Sequence, residues 1–144
     1  MQLRRSVETT APPATVFAYL SDFTHTNEWD PGTVRTTKIA GDGGVGTRYA
    51  NTSKFMGRET ELEYKVVRHV PDKVFALRGE NKSVIAEDSM EIAPLGQGSK
   101  VTYTADFTFK GIGKFVAPLL APALKKLGDE AEDGLREALA KLPS

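Results

Sequence analysis

Residues 99–142 read SKVTYTADFTFKGIGKFVAPLLAPALKKLGDEAEDGLREALAKL, and the hydrophobic pattern changes its period within this stretch. From Ser99 to Phe109 apolar and polar residues alternate, which predicts a half-buried β-strand. After that strand, apolar residues recur at intervals of three and four, which predicts a long amphipathic helix. Pro118 and Pro122 lie near the start of this helix and predict an irregular first turn or a kink. The chain therefore ends with a strand and a helix long enough to cover one face of a sheet.

Five further segments, all N-terminal to Ser99, show the same alternation of apolar and polar residues. They are separated by turn-forming residues such as glycine, proline, asparagine and aspartate. Connections this short join antiparallel neighbours. We therefore predict strands at Thr33–Ala40, Thr47–Met56, Arg58–His69, Lys73–Glu80 and Ser83–Ala93.

The N-terminal part supplies one more strand, Gln2–Thr10, which ends before Pro12 and Pro13. Pro13 suits the first turn of a short helix, and a second short helix is predicted at Thr24–Trp29. The predicted fold class is α+β. A curved antiparallel sheet of six to seven strands wraps on the long C-terminal helix, with the first strand at one edge and two short helices after it.

Length and composition exclude several classes of protein. The chain has 144 residues, which predicts a single domain over 1–144, and it has no cysteine for disulfides or zinc–thiolate sites. Nineteen basic residues balance 19 acidic ones, so the overall charge gives no reason to expect nucleic acid or an anionic membrane as partner, although a local basic patch is compatible with it. We see no signal peptide and no membrane span, which predicts a cytoplasmic protein.

The strand alternation places an unusual set of polar residues on the inner face of the sheet: Tyr49, Asn51, Ser53, Tyr64, Asp88 and Tyr103. A solid core would rarely contain them, because each buried polar group needs a partner. They either line a mixed cavity or pair with each other and reach the rim, and a bulge at Asp88 would turn that residue to solvent. The predicted cavity lining is Phe17, Trp29, Tyr49, Asn51, Ser53, Phe55, Leu62, Tyr64, Phe75, Leu77, Asp88, Met90, Tyr103, Phe107, Leu120, Leu124 and Leu127.

Several stretches resemble, in order and spacing, the START-like (SRPBCC, helix-grip) superfamily of polyketide cyclases/dehydrases, lipid-transfer domains and pollen-allergen-type proteins. They are VETTAPPATVFAYLSD at 7–22, Trp29-Asp30-Pro31, GDGGVGTRY at 41–49, PLGQGSKVTY at 94–103 and the C-terminal amphipathic helix. The resemblance covers essentially the whole chain. It implies a helix-grip fold and the binding of lipids, hormones, polyketides or other apolar molecules, with catalysis in a minority of members.

The catalytic motifs are few. Gly41–Gly46 matches a dinucleotide-binding pattern, but a strand follows it where that site needs a helix, so we interpret these glycines as a hairpin. The two histidines, His25 and His69, belong to no metal-binding pattern, and we predict neither a metal site nor a cofactor. The candidates for catalysis are Asp88, Tyr103 and His25. Buried Asp88 would act as acid or base, and a tyrosine would polarise a carbonyl.

The predicted function is the binding of a small hydrophobic or amphipathic molecule, lipid-, polyketide- or aromatic-like, in a cavity between sheet and C-terminal helix. The first alternative is a polyketide cyclase/dehydratase-type enzyme that uses the inward aspartate and tyrosines. The second alternative is a protein-interaction module. A monomer and a homodimer are both compatible with the sequence.

Overall fold

The computed structural model describes residues 1–111 and 113–144. Seven strands form one curved antiparallel sheet: β1 (Gln2–Thr9), β2 (Thr33–Ala40), β3 (Arg48–Phe55), β4 (Arg58–Val70), β5 (Val74–Glu80), β6 (Val84–Leu95) and β7 (Gly98–Phe109). Their order is β1-β7-β6-β5-β4-β3-β2. Successive strands from β2 to β7 are neighbours because their connections are short, and β1 pairs with β7 at one edge, as predicted.

Two short helical segments follow β1. Helix α1 (Pro13–Leu20) has proline in its first turn, where the missing N–H costs no hydrogen bond. A 3₁₀ turn at Phe23–His25 then leads into α2 (Thr26–Trp29), so the predicted second helix has two parts. The α+β prediction is confirmed in both its sheet and its helices.

The C-terminal helix has the predicted irregular start. It comprises α3 (Gly113–Val116), a 3₁₀ turn at Ala117–Leu120, and α4 (Ala121–Ala140). Pro118 and Pro122 each occupy the first turn of their own segment, which explains why the helix restarts there. Within residues 1–111 and 113–144, no helix has the length and apolar character needed to span a bilayer.

The turn between β6 and β7 is shorter than the sequence predicted. Strand β6 continues through Pro94 to Leu95, and β7 begins at Gly98, so only two residues remain for the turn. Gly96 has a φ of +60°, which glycine adopts without strain. Pro94 is tolerated because β5 begins at Val74, opposite Glu91, so no β5 carbonyl needs the N–H that Pro94 lacks.

The inner face of the sheet carries the core, and β6 shows the alternation most clearly. Its inward residues are buried (Val84, Ala86, Asp88, Met90 and Ile92), whereas Glu87 and Glu91 are exposed. The register with β5 and β7 is continuous through Asp88. The alternative of a bulge that turns Asp88 outward is therefore wrong.

Helix α4 closes the core by burying one stripe: Leu124, Gly128, Ala131, Leu135 and Leu139. It also passes very close to α2. A Cβ atom at Gly134 would lie 2.0 Å from the carbonyl oxygen of Trp29. Glycine at this position allows the helix and the Trp29 backbone to pack in contact, which fixes Trp29 against the inner face of the sheet.

Candidate functional site

A cluster of tyrosine and aspartate side chains lies in the interior beneath α4. Asp88 projects from β6 and is 7% exposed, and Tyr64 projects from β4 and is 6% exposed. The Tyr103 hydroxyl donates a hydrogen bond to Asp88 Oδ2 at 3.4 Å. Tyr103 lies opposite Met90, two residues along β6 from Asp88, so this bond follows the diagonal of the β6–β7 pair. The Trp29 ring meets the Tyr103 ring edge-on, with centroids 5.7 Å apart.

A second carboxylate, the half-buried Asp30, lies near enough to Asp88 for its charge to act on it. It follows α2 directly, and its Oδ1 accepts the Gly32 N–H at 3.0 Å while its Oδ2 accepts the Thr33 hydroxyl at 3.1 Å. Asp30 is not among the lining residues predicted from the sequence. An Asx turn could be expected from an aspartate two residues before Gly32, but the covering of that turn by α4 depends on tertiary structure.

Burial sets the protonation of the cluster. Desolvation is the main reason that the pKa of Asp88 rises to about 7, and the charge of Asp30 adds to it, while the Tyr103 hydrogen bond opposes it. Burial also raises the pKa of Asp30. The pKa values of Tyr64 and Tyr103 lie well above the ordinary value because of burial and the two nearby aspartates. Both phenols therefore stay protonated as hydrogen-bond donors.

The cluster retains unused hydrogen-bonding capacity. Among the described residues, no group is placed to hydrogen-bond the Tyr64 hydroxyl, and Tyr103 is the only donor to Asp88. Among the same residues, every buried side-chain polar atom that water cannot reach has a hydrogen-bond partner. The Tyr64 hydroxyl therefore borders space that a water-sized group can reach. A ligand oxygen placed there would meet a free donor.

A separate hydrogen-bond network joins β2, β3 and α2. The Thr26 hydroxyl donates to the Phe23 carbonyl oxygen at 2.8 Å and lies 2.7 Å from the Thr36 hydroxyl, which can donate to it. The Asn51 amide donates to the Thr36 hydroxyl oxygen at 2.8 Å. Ser53 donates to the Asn51 carbonyl oxygen at 2.7 Å. Two of the predicted lining residues, Asn51 and Ser53, are thus paired within the protein. Thr36 was missed because threonines at 33, 36 and 37 blur the alternation of β2.

Replacing Thr36 by valine is expected to lower the free energy of unfolding by about 1–3 kcal/mol, because the buried Asn51 amide loses its acceptor, while the Thr26 hydroxyl keeps its bond to the Phe23 carbonyl oxygen. Urea denaturation followed by circular dichroism measures this. Thr37→Val is the control, since Thr37 is exposed on the other face of the same strand. Equal effects of the two substitutions would show that the network contributes nothing specific.

The other predicted lining residues, from the sheet and from the helices, fall into two groups by burial. One group is packed in the core: Phe17, Trp29, Tyr49, Phe75, Leu77, Met90 and Leu124. The other is half-buried: Phe55, Leu62, Phe107, Leu120 and Leu127. Two members of the half-buried group, Phe55 and Leu127, line a cleft of about 260 Å³ at the N-terminal end of α4. The other residues of this cleft are Lys54, Met56, Ala123, Lys126 and Glu130.

A larger cleft of about 660 Å³ lies at the opposite end of the sheet, beside the glycine-rich turn. It shares only Tyr49 with the predicted lining, and its other residues are Ser21, Asp22, Thr24, Lys38, Asp42, Gly43, Gly44 and His69. This cleft is separate from the Asp88 cluster.

His25, the third candidate for catalysis, contacts surface groups instead of Asp88 or Tyr103. Its ring stacks on the Tyr19 ring with centroids 4.4 Å apart, and its Nδ1 lies 2.6 Å from the Tyr19 carbonyl oxygen. Its Nε2 lies 3.8 Å from an Asp22 carboxylate oxygen. The part of the chain that the structure describes contains no group of three acidic or histidine side chains that could hold a metal ion.

Comparison with known proteins identifies the family. A family model described as polyketide cyclase / dehydrase and lipid transport matches residues 1–140. The chain belongs to this family. Its membership supports, in general terms, the binding of a hydrophobic ligand. No curated protein sequence matches this family member significantly.

Solved structures with the same fold are similar over nearly their whole length. The protein TTHA0849 from Thermus thermophilus is 16% identical, with a TM-score of 0.81 and coverage of 96% of this chain and 97% of that one. The Zhui aromatase/cyclase from Streptomyces sp. R1128 is 13% identical, with a TM-score of 0.82 and coverage of 96% and 93%. A START superfamily protein from Mycobacterium smegmatis is 17% identical, with a TM-score of 0.72 and coverage of 95% and 98%. These identities establish the fold.

Proposed function

We propose that the chain forms a single domain over residues 1–144 that binds a small, oxygenated apolar molecule between the sheet and α4. The main support for this proposal is that the buried residues Tyr64 and Asp88 can each form further hydrogen bonds and lie among apolar residues. Family membership supports a hydrophobic ligand. A polar cluster in this position favours a ligand with carbonyl or hydroxyl groups over a plain hydrocarbon.

The chemistry of the cluster suits such a ligand. Tyr64 and Tyr103 offer hydroxyl donors, and Asp88, with its pKa of about 7, can accept or donate near neutral pH. The half-buried apolar residues Leu62 and Phe107 would contact the ligand skeleton. The 260 Å³ cleft beside Leu127 is the proposed entrance.

Binding can be tested with the chain's only tryptophan as reporter, because Trp29 is 3% exposed and contacts Tyr103. We expect 2-naphthol to bind and to change Trp29 fluorescence, and we expect native mass spectrometry to show a bound apolar molecule in freshly purified protein. Absence of any adduct, together with no response to 2-naphthol or naphthalene, would contradict the proposal.

The polar cluster is tested by Tyr64→Phe, because the Tyr64 hydroxyl has no hydrogen-bond partner among the described residues, whereas the Tyr103 hydroxyl already donates to Asp88. This variant should weaken 2-naphthol binding about tenfold, the effect of one hydrogen bond in the interior, and leave naphthalene binding unchanged. Tyr19→Phe is the control, because the Tyr19 hydroxyl bonds to the exposed Glu28 on the surface. If both probes weaken equally in Tyr64→Phe, the cluster does not recognise oxygen.

A second candidate function is catalysis of a cyclisation and dehydration, favoured by the Asp88–Tyr103 pair. A carboxylate with a pKa of about 7 is suited to take a proton from a carbon beside a carbonyl and to return it to a departing hydroxyl, so that water leaves. Tyr103 would polarise the carbonyl. The resemblance in fold to the Zhui aromatase/cyclase suggests a linear poly-β-ketone thioester as test substrate. If the unsubstituted protein turns this substrate over and Asp88→Asn binds the substrate without turnover, the catalytic function is supported. If the unsubstituted protein shows no turnover, the catalytic function is refuted.

A further inference from the structure

The end of the molecule around α3 exposes large apolar side chains. Among the described residues, Leu119 and Phe115 are the most exposed large hydrophobic residues, at 78% and 75%. Val116 beside them is 43% exposed, and Met56 in the β3–β4 turn is 66% exposed. We call these four residues the apolar tip. Neither α3 nor the following 3₁₀ turn buries any residue fully, so this segment contributes little to the core.

The apolar tip borders the proposed entrance. Met56 lines the 260 Å³ cleft together with Ala123 and Leu127 from the first two turns of α4. Phe115, Val116 and Leu119 belong to the segment that leads directly into α4. The exposed apolar residues are therefore concentrated where a ligand would pass between the sheet and the helix.

All the charged residues in the chain segment that carries most of the apolar tip are positive. Residues 110–126 contain Lys110, Lys114, Lys125 and Lys126 and no acidic residue. Lys110 is hydrogen-bonded to Glu80, so it is already neutralised. Lys114 lies over the Phe115 ring, 5.3 Å from its centroid, and Lys125 and Lys126 are 74% and 80% exposed.

The lysines of α4 have acidic neighbours one turn further along. Lys125 pairs with Asp129 at 3.2 Å and Lys126 with Glu130 at 3.9 Å. Exposed pairs of this kind contribute little, so these side chains can turn to another anion. The chain as a whole is neutral, so its net charge gives no indication of this local positive segment.

We propose that the apolar tip docks on an anionic lipid membrane, with Phe115 and Leu119 entering the headgroup region and Lys114, Lys125 and Lys126 contacting lipid phosphates. Exposed apolar side chains flanked by lysines are the combination that binds such interfaces. A second copy of the chain fits less well. At about 200 Å² for a fully exposed side chain, exposed fractions of 78%, 75%, 66% and 43% leave about 500 Å², which falls short of the about 800 Å² that one partner gives to a stable interface.

The test is co-sedimentation with vesicles of phosphatidylcholine alone and of phosphatidylcholine mixed with phosphatidylglycerol. We expect binding to the mixed vesicles that weakens as salt is raised. Phe115→Ser/Leu119→Ser should lower the partition coefficient by about tenfold or more, because two apolar side chains no longer enter the interface. Lys114→Gln/Lys125→Gln/Lys126→Gln should lower it about a hundredfold, at roughly fivefold per lysine.

The matched control is Val45→Ser. Val45 is 66% exposed and lies in the glycine-rich turn at the opposite end of the sheet. Because all substituted residues are exposed, circular dichroism and thermal unfolding should show every variant folded. Equal losses in Val45→Ser and the tip variant would overturn the proposal, as would no binding to the mixed vesicles or a dimer in sedimentation velocity that the tip substitutions dissociate. Ligand binding is measured separately by native mass spectrometry, so either proposal can fail without the other.

Discussion

Replacing Gly134 by alanine is expected to lower the free energy of unfolding by about 3 kcal/mol or more. The added methyl group would lie 2.0 Å from the Trp29 carbonyl oxygen and 3.3 Å from Pro31 Cδ. The Trp29 oxygen is backbone and cannot rotate away, so α4 or α2 must move. That movement would also displace Trp29 and Asp30 from the interior cluster. Urea denaturation followed by circular dichroism measures the loss.

Gly128→Ala provides the matched control in the same helix. A methyl group at Gly128 would lie 3.1 Å from the Arg5 guanidinium and 3.3 Å from Leu3 Cδ1, both at the ends of side chains that can shift. Alanine is favoured over glycine inside a helix by about 1 kcal/mol, so this variant should be as stable as the unsubstituted chain or more so. A Gly134→Ala variant as stable as Gly128→Ala would show that α2 and α4 are not in backbone contact.

The second large effect is a loss of stability as pH rises through the pKa of Asp88. This pKa is about 7 in the folded protein and 3.8 in the unfolded chain. Between those values the folded state holds a proton that the unfolded state has released. The stabilisation is therefore complete below about pH 4 and is lost as pH rises to about 7, amounting to about 4 kcal/mol.

Asp88→Asn should remove the contribution of Asp88 to this dependence. The amide stays neutral at every pH, so the urea midpoint of the variant should fall less between about pH 4 and pH 7 than that of the unsubstituted protein. A fall of the same sign remains from Asp30, whose pKa is also raised by burial. At higher pH the variant should be the more stable protein. Asp133→Asn is the control, since the Asp133 side chain is 72% exposed on α4. Midpoints of Asp88→Asn and the unsubstituted protein that fall in parallel would show that Asp88 is not the group responsible.

Asp22 acts in a different pH range from Asp88, whereas the raised pKa of Asp30 acts with the same sign as that of Asp88. Asp22 has a lowered pKa because its hydrogen bonds from Thr24 and the charges of His25 and Lys38 together outweigh a desolvation penalty. A lowered pKa gives stability that is present above the ordinary value of 3.8 and is lost as pH falls below it. The Asp88 effect therefore has the opposite sign and a separate window.

Strand alternation was sufficient to predict the face on which Asp88, Tyr64 and Tyr103 lie. A period of two assigns faces without knowledge of neighbours, and the β6 register contains no irregularity. The change of period after Phe109 likewise predicted the helix, and its two prolines predicted the irregular start. These features depend on local sequence alone.

Asp30 and Thr36 could not be found in the same way. Asp30 lies in a turn after α2, and its burial depends on the approach of α4, which Gly134 permits from more than a hundred residues away. Thr36 acquires its role from Asn51 and Thr26, which belong to other elements. Burial and pairing between distant segments are tertiary properties, and a single sequence gives them no periodic signal.

The central claim is that an oxygenated apolar ligand binds beside Asp88, beneath α4. The most direct test is a nuclear magnetic resonance titration of the labelled protein with 2-naphthol. We predict shift changes concentrated on Tyr64, Asp88 and Tyr103 and on Leu127 at the entrance. Changes confined to the glycine-rich cleft around Asp42 and His69, or no changes at all, would contradict the claim.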